Sequence, residues 1–157
     1  MRKTDIRLLA KAMIAASFPS LRGKPVRVKM VKTDDYVMAV RLGKAIRLWV
    51  SKEDARRMGR SALTGVLAHE LCHAEEDLQP DTTKGALLAM ACGLVPGLEA
   101  RVETASERRI DAAVIRKGYG RHLLAFQKYH DRYYEPYDHT DGMTLKEIEA
   151  ALRESRR

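Results

Sequence analysis

Between Pro25 and Ser51 the apolar residues of this chain recur at every second position, and on either side of that stretch they recur at every third or fourth. Side chains of a strand alternate between two faces, whereas those of a helix share a face at three to four residues' spacing, so this change of period sets the order of elements. Ile6, Leu9, Ala10, Met13, Ile14 and Phe18 predict an amphipathic helix over 5–18, closed by the segment Pro19 to Pro25. Val26, Val28 and Met30 alternate with Arg27 and Lys29, and a second strand is expected from Tyr36 to Leu42. Gly43-Lys44 reads as a two-residue hairpin turn returning into a strand from Ala45 to Val50, which together make a small antiparallel sheet.

The rest of the chain reads as helix. Ser51-Lys52-Glu53-Asp54 has the hydroxyl and the carboxylate that satisfy free amides at a helix start, and Ser61 is expected to cap a second helix reaching about Glu76. A buried helix is expected over Thr82 to Leu94, broken at Pro96-Gly97, then a longer one to about Lys117 that Gly118-Tyr119-Gly120 ends. Leu123, Leu124 and Phe126 open another, a Tyr- and Asp-rich loop follows over 131–142, and Thr144-Leu145-Lys146-Glu147 is a capping box for a last helix with Leu145, Ile148 and Leu152 on one stripe. The expectation is an α+β chain with a small antiparallel sheet and a mostly helical C-terminal half. At 157 residues it is one domain over 1–157.

Hydrophobic residues at 45% and charged residues at 32% exclude a disordered chain. The longest uncharged run, Gly85 to Leu98, falls short of the roughly 18 to 20 residues of a spanning helix. Arg7 and Lys11 interrupt any secretory signal, and two cysteines, Cys72 and Cys92, make no disulfide framework, which suits a cytoplasmic location. Net charge is +8 and unevenly spread: residues 22–60 hold twelve Lys and Arg against four Asp and Glu, whereas 61–107 hold two against eight. A basic segment of this kind suits nucleic acid, but mixed Lys/Arg surfaces more often serve solubility.

His69-Glu70-Leu71-Cys72-His73 is an H-E-x-x-H pattern inside a helical segment. Residues four apart share a helix face, so both imidazoles can ligate one Zn²⁺ while Glu70 lies beside the metal-bound water as general base. A catalytic zinc needs a third protein ligand and an open fourth position. Glu99, Glu103, Glu107 and Asp111 follow at spacings of four, where like charges repel unless a cation relieves them. Glu107 is the expected third ligand, with Glu103 as the fallback. Asp111, one turn on, is placed to accept the remaining N–H of a ligand imidazole.

His69 to His73, followed 34 residues later by Glu107-Arg-Arg-Ile-Asp111-Ala-Ala and a Gly118-Tyr-Gly turn, resembles the gluzincin metallopeptidases over roughly residues 45 to 125. The likeness is to the minigluzincins and to the catalytic core shared with the CAAX prenyl proteases and heat-shock membrane proteases. The resemblance implies a zincin-like fold in which His69, His73 and Glu107 bind zinc, Glu70 is the general base and Asp111 orients a ligand histidine. It also implies that an edge strand pairs with an extended peptide or protein substrate, here the strand of Ala45, Ile46, Arg47, Leu48, Trp49 and Val50. Tyr119, His122 and His139 are the candidates for stabilising the oxyanion. Some minigluzincins cover the cleft with a terminal segment, and 131–157 would be that segment here.

The sequence thus reads as a zinc metallopeptidase, active or latent. The alternative is a catalytically weak regulatory or nucleic-acid-binding protein of the same fold, the latter suggested by the basic 22–60 segment. His69-Glu-Leu-Cys-His73-Ala also resembles the DNA-associated SprT-type proteases. Their third ligand is a nearby histidine, and none occurs between His73 and His122.

Overall fold

The computed structural model describes residues 1–78, 98–135 and 142–155. Helix α1 (Lys3–Ser17) and a 3₁₀ turn (Pro19–Leu21) lead into β1 (Val26–Val31), β2 (Met38–Arg41) and β3 (Ile46–Ser51). Short α2 (Lys52–Arg57) and long α3 (Arg60–Glu76) follow. From Leu98 onward come α4 (Leu98–Val114), a π-helical turn (Ile115–Tyr119), α5 (Gly120–Tyr133) and α6 (Leu145–Glu154). The helix expected over Thr82 to Leu94 lies outside the described residues. Among the described residues no helix is long and apolar enough to cross a membrane.

The sheet is mixed, where the sequence reading expected an antiparallel one. Strand order is β1-β3-β2, with β3 parallel to β1 and antiparallel to β2. The physical reason is burial: Ile46, Leu48 and Val50 are all fully excluded from solvent, and a strand that apolar on its inner face is best covered at the centre. Once β3 sits between its predecessors, β1 can reach it only in parallel. The hairpin differs too. A two-residue turn at Gly43-Lys44 would pair Leu42 with Ala45, but the register pairs Arg41 with Arg47 and Val40 with Leu48. A slip of one residue exchanges the faces of a strand, so the inward set Met38, Val40, Leu48 and Val50 fixes the register and lengthens the turn. Gly43 is accordingly not among the glycines at positive φ.

Two of the three expected caps form; Ser61 does not cap α3, which starts at Arg60 behind Gly59 and leaves the Ser61 hydroxyl beside His122. The Ser51 hydroxyl accepts from the Asp54 amide, and Thr144 and Glu147 form their reciprocal box at the start of α6. Gly118 takes φ 87° in the turn that ends α4. α5 runs on to Tyr133, longer than expected, because Tyr129 is buried and donates to Asp54 at 2.5 Å while Tyr134 donates to the other oxygen at 2.8 Å. The core lies between the sheet's inner face, α1, α3 and α5, with Phe18, Leu21, Leu63, Leu67, Leu71 and Leu123 among its fully buried side chains.

Candidate metal centre

α3 is buried along Ala62 to Ala68, and its last turns bring His69, Glu70 and His73 out of the core on the side that meets α4. His69 Nε2 lies 3.0 Å from His73 Nε2. One carboxylate oxygen of Glu107 faces both, at 3.2 Å from His69 Nε2 and 3.4 Å from His73 Nε2. Two nitrogens and an oxygen so close are near the edge lengths of a tetrahedron about a metal with bonds of about 2.1 Å, roughly 3.4 Å. The three residues are the group among the described residues whose ligand atoms converge in this way. Glu103 is exposed and outside that group.

Asp111, 3% exposed, accepts from His69 Nδ1 at 3.0 Å. That bond puts the proton of the neutral ring on Nδ1 and leaves Nε2 as the lone-pair donor, as a ligand histidine requires. Burial by itself would lower the pKa of His69, but Asp111, Glu107 and Glu70 outweigh it and push it up to about 10. Burial likewise raises Glu107, and the two imidazoles more than reverse this, holding it down at about 2. A cation among these carboxylates is therefore strongly favoured, and a proton serves where no metal does. Glu70 is shifted the other way: burial raises its carboxyl pKa, against His69, His73 and the Val40 backbone, which lower it. Cys72, inside the same pentapeptide, points into the core, and burial pushes its thiol up to about 12, which makes it a poor ligand.

The other candidates fall elsewhere. Tyr119 stacks on Phe18 with its hydroxyl 3.1 Å from Ser17 Oγ, because the π turn directs it to the end of α1. His122 Nδ1 lies 2.9 Å from Ser61 Oγ, and Ser61 precedes His69 by about 12 Å of helix. His139 lies outside the described residues. Ala45 is buried ahead of β3, and Ile46 to Val50 lie in the central strand, with Ile46 paired to β1 and Arg47 to Val50 paired on both sides, so the strand is not an edge. The free edge beside Glu70 belongs to β2. Ser51 N–H donates to the Val37 carbonyl, and the alternation of an antiparallel pair then turns the N–H and C=O of Met38 and Val40 outward.

Sequence reasoning missed His130. It lines, with Tyr36, Met38, Phe126, His69 and Glu70, a recess of about 180 Å³. Its ring stacks on Tyr134, 4.9 Å between centroids, and Tyr134 is anchored to Asp54. Phe126, His130 and Tyr134 recur at spacings of four, a signal obscured by reading 131–142 as loop.

The segment after 141 is tied to the same helix face. Met143 N–H donates to the second oxygen of Asp111 at 2.9 Å, and Arg108 donates to both oxygens of Glu147, at 2.6 and 3.2 Å, and to the Gly142 carbonyl. Gly142 has φ 143°, and a Cβ there would come within 2.8 Å of Asp111 Oδ2. With Ile148 fully buried, the described part of the C-terminal segment is packed on the core. Arg108, with Thr144, holds the Glu147 carboxyl down at about 2. A depressed pKa gives stability that is complete above the ordinary carboxylate range and is lost as pH falls through the folded value. Lowering pH from about 4.5 to 2 should therefore loosen α6, followed at the Ile148 amide resonance. Glu147→Gln should lack that step, and an unchanged acid transition in this variant would assign it to another group.

Compared with family models, with curated proteins and with solved structures, the chain matches none of them.

Proposed function

We propose that this protein is a zinc-dependent metallopeptidase of gluzincin type. The observation that carries the reading is the convergence of His69, His73 and Glu107, with Glu70 next to His69 on α3 and lining the same recess as that histidine. Two imidazoles and a carboxylate are a donor set that suits Zn²⁺, with Asp111 fixing one imidazole from behind. Bound zinc supplies a water of lowered pKa and polarises the substrate carbonyl.

The chain's own residues supply the rest. Glu70 takes the proton of the attacking water and passes it to the leaving amine, and burial, by raising its pKa, brings it nearer to that task. An extended peptide pairs with the outward N–H and C=O of Met38 and the outward C=O of Val40 on the β2 edge, the Val40 N–H being held by Glu70. His130, which stacks on Tyr134 and lines the same recess as Glu70, serves as the donor to a developing oxyanion. The recess is small, which favours substrates that enter as a single extended strand.

One zinc per chain is expected by metal analysis, with peptide hydrolysis abolished by chelation and restored by zinc. Glu107→Ala should lose both metal and activity, whereas Glu103→Ala should keep both. Full zinc retention in Glu107→Ala would overturn the ligand assignment. A substrate-like peptide should slow amide exchange at Met38, and protection elsewhere with none on β2 would place the substrate on another surface.

A further inference from the structure

The outer face of the sheet carries cations that no carboxylate among the described residues neutralises. Register sets Arg27 opposite Arg47 and Arg47 opposite Arg41. Paired residues of neighbouring strands point to the same side, so three guanidiniums form one row across all three strands. Two residues on, Lys29, Trp49 and Ala39 form the next row, about 6.7 Å away. Arg27, Lys29, Arg41 and Arg47 are exposed and Trp49 is half-buried, while Val26, Val28, Ile46, Leu48 and Val50 face the core. At the end of the sheet beyond the arginine row, Lys24 donates to the Gly43 carbonyl and Lys44 stands exposed beside it.

Some cations of this protein have acids beside them, such as Arg57 with Glu53, Arg108 with Glu147, Arg109 with Glu76 and Lys117 with Glu75, and others stand singly at the surface; on the sheet face they are stacked opposite one another. On the sheet face, among the described residues, none of the four has a carboxylate partner. Like charges placed directly opposite one another weaken a sheet. A row of three arginines therefore works against the fold unless something anionic lies on it.

We propose that this face binds single-stranded nucleic acid, with phosphates on Arg27, Arg41, Arg47 and Lys29 and a base stacked on Trp49. Three of the four cations are arginine, whose planar fork matches phosphate oxygens in pairs. A lone indole between Lys29 and Ala39 offers a ring for stacking and no wider apolar surface for entering a bilayer. Stacking of that kind needs a base whose face is free, which a duplex does not present. The two rows span room for about two or three nucleotides. This site lies on the sheet face turned away from the core and stands independently of the metal reading.

Trp49 is the chain's only tryptophan, so its emission reports the site directly. Titration of the full chain with a short oligothymidylate at about 50 mM salt should quench that emission to saturation, and log K against log salt should slope at about −2.8 for four phosphate contacts. Arg27→Gln with Arg47→Gln should weaken binding roughly tenfold or more and flatten the slope by about 1.4. Trp49→Leu, followed by anisotropy of a labelled oligonucleotide, should weaken binding at least about fivefold and leave the slope unchanged. The arginine variant relieves repulsion and should melt no lower than the parent, so a loss of binding there is not a loss of fold. Absence of quenching, or unchanged affinity in both variants, would overturn the proposal. Equal affinity for a duplex of the same length would remove the single-strand assignment, and quenching by phosphatidylserine vesicles without any by the oligonucleotide would make the partner a membrane surface instead.

Discussion

Glu70→Gln should retain its zinc and lose peptide hydrolysis by about 10² to 10⁴-fold, the range that a positioned general base contributes. The amide fills the volume of the carboxyl but cannot accept the proton of the attacking water. Glu70 stands next to the ligand atoms without being one of the three that converge, so metal content should be insensitive to the change. The pH profile separates a base from a bystander. Burial raises the Glu70 pKa, so hydrolysis by the parent should fall as pH drops through that raised value, where the base becomes protonated. The residual activity of Glu70→Gln should lack this limb. Equal rates in the two proteins would sink the mechanism, and loss of zinc in Glu70→Gln would turn Glu70 from a base into a ligand.

What the sequence made legible was whatever depends on short spacing. The i, i+4 relation of His69 and His73 and that of Glu107 and Asp111 survive because a helix leaves no choice about which residues share a face. Asp111 meets the ring of His69 because that helix brings it one turn beyond Glu107. What depended on long-range pairing was not legible. The alternation in residues 45–50 identifies a strand but is equally compatible with an edge or a centre, and only the burial of Ile46, Leu48 and Val50 decides for the centre. The edge beside Glu70 consequently belongs to β2, which spans Met38–Arg41 within the expected Tyr36 to Leu42. Likewise, the basic character of 22–60 was plain from composition, but its concentration on one face required the register that aligns Arg27, Arg47 and Arg41. Tyr134 fell in the stretch 131–142 read as loop, with His130 just before it, and the buried Asp54 that anchors the end of α5 is about 75 residues away in sequence.

Gly65→Ala should lower stability by about 3 kcal/mol, toward the upper end of the usual cost of overpacking a core. Gly65 lies in the buried part of α3, one turn before His69. A Cβ at this position would fall 2.1 Å from the His122 carbonyl oxygen, 2.5 Å from its carbon and 2.8 Å from the Leu123 nitrogen. All three atoms are backbone of α5, so no rotamer change relieves the contact. The two helices must separate by about 1.3 Å to reach ordinary packing distance, across a contact that also buries Leu63, Leu67 and Leu123. The figure of about 3 kcal/mol is net of the roughly 1 kcal/mol that alanine's better helix propensity returns. For a chain of this size the net loss corresponds to a fall in Tm of roughly 6 to 12 °C. The same separation carries α5, and with it His130, away from Glu70, while His69, His73, Glu107 and Asp111 lie on α3 and α4. Zinc content should therefore hold while hydrolysis falls in the folded variant, a split that general destabilisation would not produce. A Gly65→Ala protein that melts at or above the parent temperature would show that α3 and α5 do not approach backbone to backbone at this glycine.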